Sequence, residues 1–524
     1  MTFSVFRGRP SLFVEMALAV ALVAAAVAYQ FPGLISTPYY YDEGIMVYGA
    51  SRIIDGQIPY RDFWTVYHPG QFYVLALLFS IFGPSLMVER LYDIIVRAVL
   101  ALIVYLLAAQ LSNRRIALLS WFISLIWLTY FGFYGYPAFI ALLLAMLSLK
   151  VLISSFNQPQ WRWVAGAITG MAMLFRHDLG AYAAFSQIMV LLAFAFFKHT
   201  DTRKTILGRL GDTKGAIFPL IAGVLMVNAP VIMYFLITVP HADLAQQLLV
   251  FPLTIFPQVR SLPYPPLNFD NFHFYFPFLV YFIVIALLPS FFRRAADESN
   301  SNQAWGLVLI ALFGLLAFNQ ARVRADSIHV APFFLPAVAL LPVLWVRGKL
   351  ILGKHRFLLY SILSVTFITL AFNPIYSRTW PSGPAPTHGV KRAQGIMLSP
   401  EQLLVIQFLQ TVTKPHDKIF SGVLRHDSIY ANDVMLYFLA ERDCPGRYHE
   451  LHPGQATTLP VQQEIADRLE SGDVKYLVLC NMFKEEPNLS SQSSEVHYLD
   501  QFIHNRYIVV GEIKHYQILE RIEN

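Results

Sequence analysis

Apolar residues recur in long, nearly unbroken runs through the first three-quarters of the chain, with charged residues confined to the gaps between them. Windows near 12–31, 91–112, 116–133, 137–155, 163–176, 180–197, 216–239, 274–292, 304–319, 330–346 and 357–373 each read as a membrane helix. The pattern predicts an all-α polytopic membrane module over residues 1–373, with about 11 transmembrane helices. Segment Gln71–Gly83 is also apolar, but at about 13 residues it is too short to span. It reads as an amphipathic or interfacial helix lying along the outer surface. A span there would invert the orientation of everything after it. No repeat of useful period accompanies the runs.

The pattern changes near residue 374. Residues 374–398 are rich in Pro, Gly and Ser and read as a linker. From Ser399 to residue 524 the chain reads as a water-soluble domain. Ser399-Pro400-Glu401 supplies a cap and then Pro at the first helical position. Val461–Leu469 predicts a helix, and Val474–Cys480 and Tyr507–Ile513 predict strands. A small C-terminal α/β domain is expected.

Composition agrees with lipid as the solvent. The 524 residues are 56% hydrophobic and 14% charged, against about 25% charged in an ordinary soluble domain. The net charge of +6 does not point to nucleic acid, because the basic residues follow the spans. With Arg7 and Arg9 in the cytoplasm and the spans alternating, Arg114/Arg115, Arg162, Lys198–Lys214, Arg293/Arg294 and Arg347/Lys349/Lys354/Arg356 all fall inside. The expected location is a multi-pass inner (plasma) membrane protein. Its first loop, about 32–90, and its C-terminal domain then lie outside the cytoplasm. Ala26-Val27-Ala28 matches a signal-peptidase site, but the apolar run is long for a cleaved segment, and the first window is read as retained. Cys444 and Cys480 are too few for a disulfide framework and allow one bridge at most in an exported domain.

The first loop carries the densest chemistry. Asp42 and Glu43 follow an aromatic exit from the first span, with Asp62 and His68 downstream. A partly desolvated carboxylate at the membrane face suits a general base; Asp42 equally suits the cap of a helix beginning near Glu43. Arg176-His177-Asp178, and Arg322, Arg324, Asp326 and His329, fall on the same side, where the positive-inside rule disfavours Arg. They suit an anionic phosphate ligand. Internal pairs, Arg176 with Asp178 and Arg324 with Asp326, or snorkelling, would also account for them. Asp93 and Arg97, four apart, read as a pair within one helix. The long Pro- and aromatic-rich loop 240–273 reads as a lid or the lining of an acceptor groove. His449, His452, His504 and His515 lack zinc-site spacing and read as surface residues.

The order Asp42-Glu43, Tyr48-Gly49, Gly56-x-x-Pro59-Tyr60-x-Asp62, then His68-Pro69-Gly70 resembles the first outer loop of GT-C superfamily glycosyltransferases. It is most similar to the protein O-mannosyltransferase and aminoarabinose-transferase branch. There an acid of the Asp-Glu pair is the catalytic base, beside a downstream acid and a His-Pro-Pro motif; here the last position is Gly70. The resemblance implies an inverting hexosyl- or pentosyltransferase. It would move a sugar from a polyprenyl-phosphate donor to a hydroxyl of a glycan, glycolipid or protein acceptor. Asp42, Glu43, Asp62 and His68 become the candidate catalytic set. Arg176, His177, Arg322, Arg324 and His329 become the candidate donor-phosphate set. Glu43 is open to three roles: orienting Asp42, assisting the acceptor, or binding a divalent metal ion, which the sequence permits without demanding. A transporter or flippase of lipid-linked saccharides is the competing reading. It should show mid-bilayer ionisable residues and repeated spans, whereas this chain collects its acids and unusual cations on one face. An assembly protein acting through its outer domain is a weaker alternative.

Overall fold

The computed structural model describes residues 12–131, 135–198, 206–293, 298–352, 356–377, 387–481 and 484–523. Arg7, Arg9, Arg294, Lys354, part of the Lys198–Lys214 stretch and the middle of the predicted linker lie outside the described residues. Helices α1 (Leu12–Gln30), α2 (Asp42–Ile54), α3 (Pro69–Phe82), α4 (Leu86–Leu111), α5 (Arg114–Tyr130), α6 (Ala138–Ser155), α7 (Arg162–Phe175), α8 (His177–Lys198) and α9 (Ile206–Thr238) come first. The short α10 (His241–Ala245) and α11 (Phe256–Val259) flank a π-helical stretch, Gln246–Ile255. Then follow α12 (Phe272–Arg293), α13 (Glu298–Val323), α14 (Ser327–Leu352) and α15 (Arg356–Ser377).

All eleven predicted windows are helical, but only 8 described helices are long and apolar enough to cross a membrane. The other three are α5, α7 and α15. Helix α5 has 17 residues because Asn113 caps its start, accepting from the Arg115 N–H at 2.9 Å. Helix α7 has 14 because the chain turns extended at Arg176. In α15 the apolar stretch among the described side chains is Tyr360–Phe372. The expected count is therefore met in helices but not in crossing lengths.

Helix α14 occupies the middle of the bundle, with Phe333, Phe334, Leu335, Ala337 and Leu340 fully buried. Helices α1 and α9 are mostly exposed and form its rim. Where α7 meets α9 the backbones nearly touch: a side chain at Gly166 would strike the Leu220 carbonyl, and one at Gly223 the Trp163 carbonyl. Small residues at such a crossing exchange side-chain volume for close backbone packing. Helix α3 is the expected short helix, of 14 residues. It buries Phe72, Leu75, Ala76 and Phe79, yet also exposes Leu77, Ile81 and Phe82, so it is apolar all round rather than amphipathic.

The C-terminal region contains α16 (Pro400–Val412), β1 (Ile419–Val423), α17 (Met435–Ala440), α18 (Leu459–Ser471), β2 (Tyr476–Cys480), α19 (Tyr498–Arg506), β3 (Tyr507–Ile513) and β4 (Tyr516–Arg521). The sheet order is β1-β2-β4-β3, with β1 parallel to β2 and the other pairs antiparallel. Ser399 caps α16 through the Gln402 N–H, as its sequence predicts. Cys444 and Cys480 are not joined in a disulfide, so the bridge that their number allowed is not formed.

This domain is docked on the first loop. Gly44 of α2 leaves room for the Met435 backbone of α17, whose N–H donates to the Tyr40 carbonyl at 3.0 Å. One continuous apolar cluster joins Ile45, Tyr48 and Phe72 to Val405, Ile406, Phe438 and Leu451 of the domain.

Candidate active site

A cavity of about 920 Å³ opens where the first loop, the α7–α8 and α13–α14 junctions, the 252–262 segment and the C-terminal domain meet. Asp42 lies in its wall at the first turn of α2. The Tyr67 hydroxyl donates to Asp42 Oδ1 at 2.7 Å. Burial raises the Asp42 pKa; the Tyr67 hydrogen bond and, more weakly, Arg260 and His452 oppose that shift. The result is a carboxylate held in place but reluctant to stay charged. Asp42 makes no side-chain cap, and Tyr41 precedes α2 without one.

Two of the predicted cations are already spoken for. Arg176 pairs with Asp178 through Nε at 3.2 Å and Nη2 at 2.9 Å, and donates to the Tyr136 hydroxyl at 2.8 Å. Arg324 donates to Asp326 at 2.8 Å and to both oxygens of Glu486 at 3.0 and 2.8 Å. Asp326 also accepts from the His329 ring at 2.6 Å. Burial would raise the Asp326 pKa, but His329 and Arg324 hold it well below the usual carboxylate range. Arg260 and Lys484 line the same cavity and form no ion pair among the described residues. Arg260 donates to the Tyr430 carbonyl and packs over the Tyr430 and Tyr41 rings.

No family model matches the sequence, and no curated protein matches it. Solved structures do. The Archaeoglobus fulgidus oligosaccharyltransferase, tethered to an acceptor peptide containing the NVT sequon, superposes with a TM-score of 0.51 at 11% identity. That match covers 90% of this chain and 69% of that one. Apo ArnT from Cupriavidus metallidurans gives a TM-score of 0.51 at 12% identity, over 97% of this chain and 98% of that one. The fold is GT-C.

Within this fold the predicted residues separate. Asp42, His68, Arg176, His177, Arg324 and His329 line the cavity. His68 stacks on His177 with ring centroids 4.4 Å apart. Burial, then His177, pushes the His68 pKa down to about 3, and its Nε2 has no partner among the described residues. The other three predicted residues do not line the cavity. Glu43 forms a fully buried pair with Arg90, at 2.7 and 3.1 Å, and accepts from the Tyr39 N–H at 2.8 Å. Arg90 also donates to the Leu34 and Ser36 carbonyls, tying the exit of α1 to α2 and α4. With both oxygens so engaged, Glu43 is not placed to hold a metal. Asp62 closes the Ile58–Asp62 turn, accepting from the Ile58 N–H at 2.7 Å and pairing with Arg61 at 2.8 Å. Its Arg61 bond holds its pKa below the usual value. Arg322 is exposed and bonded to Asn319. Asp93 and Arg97 pair within α4 at 2.7 Å, as their spacing predicts.

Sequence reasoning missed Tyr67, Tyr136, Arg260, Lys484 and Arg90. Arg260 carried one signal, a lone cation in the Pro-rich loop whose lining role was anticipated. His449 and His452 correct the surface reading: both are buried, and His452 lines the cavity. His504 and His515 are exposed, as expected, and His515 sits at the cavity's edge. Two groups, Asp55/His416/Asp443 and Asp427/His497/Asp500, have metal-compatible spacing, but none of their residues lines the cavity.

Proposed function

We propose that the protein is an extracytoplasmic-facing membrane glycosyltransferase. It moves a sugar from a polyprenyl-phosphate donor to an acceptor hydroxyl, with inversion, and Asp42 is its general base. The carrying observation is the cavity itself: a positioned, partly desolvated carboxylate shares it with cations that form no ion pair among the described residues. Both similar folds belong to transferases by name, which accords with this reading, although a fold alone does not fix chemistry.

In the proposed reaction Asp42 Oδ2, which makes no hydrogen bond among the described residues, receives the acceptor's proton. The acceptor oxygen forms a bond to the anomeric carbon as the bond from that carbon to the phosphate oxygen breaks. The electron pair leaves on the phosphate, where Arg260 and Lys484 stabilise the growing charge. Tyr67 keeps Asp42 aimed at the acceptor. Arg176, His177, Arg324 and His329 shape the wall, and the carboxylates paired with the two arginines keep them from competing for the phosphate. Glu43 and Asp62 act by positioning the first loop.

Asp42→Asn tests this reading. Transfer from a polyprenyl-phosphate sugar by the purified, folded variant should fall by roughly 10²–10⁴-fold. Transfer at the wild-type rate would refute the base assignment.

A further inference from the structure

The C-terminal domain sends one segment, Arg447–His452, beneath the first loop. The Trp64 N–H donates to the Arg447 carbonyl at 2.9 Å, and Arg447 donates to the Tyr60 carbonyl at 2.9 Å. Arg52 bonds the His449 ring at 3.2 Å, and the Tyr41 hydroxyl donates to the Leu451 carbonyl at 3.3 Å. These contacts hold the backbone of the segment. They leave Glu450 and His452 to be explained.

Glu450 is fully buried and His452 is 3% exposed; of the two, His452 lines the cavity. Glu450 Oε2 and His452 Nε2 lie 3.1 Å apart. Glu450 Oε1 and His452 Nδ1 have no partner among the described residues. An unpaired buried polar atom is destabilising. Because His452 belongs to the cavity wall, a ligand atom is a group that could complete Nδ1.

Which atom depends on where the protons sit. Burial pushes the Glu450 carboxyl well above its usual range, with the Thr65 hydroxyl opposing. Burial, then Arg260, pushes His452 down to about 3. Both directions favour the uncharged form of the pair. The Glu450 O–H donates to Nε2, and Nδ1 carries the ring N–H. That N–H needs an oxygen acceptor. Arg260 lies 6.0 Å from the centre of the Tyr41 ring, and the His452 ring meets Tyr41 edge-on at 5.6 Å. The imidazole and the unpaired cation are thus neighbours across one tyrosine.

We propose that His452, held by Glu450, donates a hydrogen bond to a phosphate oxygen of the lipid ligand, beside Arg260. The C-terminal domain then supplies part of the phosphate subsite. This inference rests on the reading of the cavity as a polyprenyl-phosphate site. A neutral donor suits the position, because it directs a bond at the phosphate without adding a second buried charge next to Arg260.

The test is titration of the full-length protein in nanodiscs with a polyprenyl monophosphate, followed by calorimetry. His452→Gln keeps a polar group near the Nε2 position and loses the one at Nδ1; His452→Asn does the reverse. His452→Gln should weaken binding about tenfold, the size of one hydrogen bond to a charged group. His452→Asn, and Glu450→Gln as a mimic of the neutral acid, should stay within about threefold of wild type. A purely structural role would not separate the Gln and Asn variants in this direction. If His452→Gln binds like wild type while Arg260→Ala has lost affinity, the role of His452 is overturned and the phosphate site stands. If Arg260→Ala also binds like wild type, the phosphate site itself is overturned. If the His452 variants do not purify as folded protein, ¹⁵N-histidine-labelled wild type decides. Saturating polyprenyl phosphate must move the ring-nitrogen resonance that Glu450→Gln also perturbs, and an unmoved resonance overturns the proposal.

Discussion

The two walls of the cavity use arginine in opposite ways. On the bundle side, Arg176 and Arg324 each face carboxylates at hydrogen-bonding distance. On the side built by the 252–262 segment and the C-terminal domain, Arg260 and Lys484 face aromatic rings and backbone instead. On the proposed reading, the difference separates scaffold from ligand site. A buried cation with its own carboxylates contributes to the fold, and an anionic ligand would have to displace them. A cation with only rings and backbone around it keeps its charge available.

Removing one cation from each wall should separate stability from binding. The largest effect is expected for Arg324→Ala, which strands the buried Glu486 carboxylate. Breaking such a pair costs about 3–5 kcal/mol, so thermal unfolding of the purified protein should shift down clearly. An unchanged unfolding temperature would return Arg324 to the ligand-binding set. Arg260→Ala should leave unfolding nearly unmoved, yet weaken polyprenyl-phosphate affinity by about 10–100-fold, the range for a hydrogen bond to a charged group. A large loss of stability without loss of affinity would erase the distinction between the walls.

The carboxylate between the walls adds a pH signature. Because burial raises the Asp42 pKa, the acid limb of transfer should fall through a pKa above the ordinary aspartate value. A limb at or below that value would place another group in control. The linkage sign is opposite for stability. A raised folded-state pKa contributes stability that is full below the unfolded pKa and is lost as pH rises through the folded one. Near neutral pH Asp42→Asn should therefore be at least as stable as wild type while being inactive, and a lowered unfolding temperature would contradict this. Lys484 should give the smallest effect. It is exposed, so Lys484→Ala should weaken binding only a few-fold and vanish in high salt, as about 0–1 kcal/mol of surface electrostatics would.

Periodicity carried most of the fold because lipid imposes a simple rule on composition. All eleven windows became helices, and the α/β domain followed its two predicted helices and two of its four strands. β1 and β4 were not foreseen, and length does not explain it, since β2 has the same length of 5 residues as β1. The site was less legible. Asp42 stood out by motif, but its neighbour Glu43 depended on Arg90, which lies 47 residues away. The Arg-x-Asp spacings foretold the pairs at Arg176 and Arg324, yet nothing in the sequence foretold Glu486 as the second partner. His452 looked like a surface residue because its burial comes from contacts across 410 residues, as in the bond from Tyr41 to Leu451.

That long-range contact also bears on biogenesis. Asp42 leaves the ribosome early, whereas the segment that carries His452 follows only after the membrane helices. Until that segment is delivered and folded, the cavity lacks one wall and the first loop lacks the core it shares with the domain. Domains emerging in sequence ordinarily fold as they appear, but this site is completed late. The order of synthesis thereby delays activity until the whole bundle has been threaded into the bilayer.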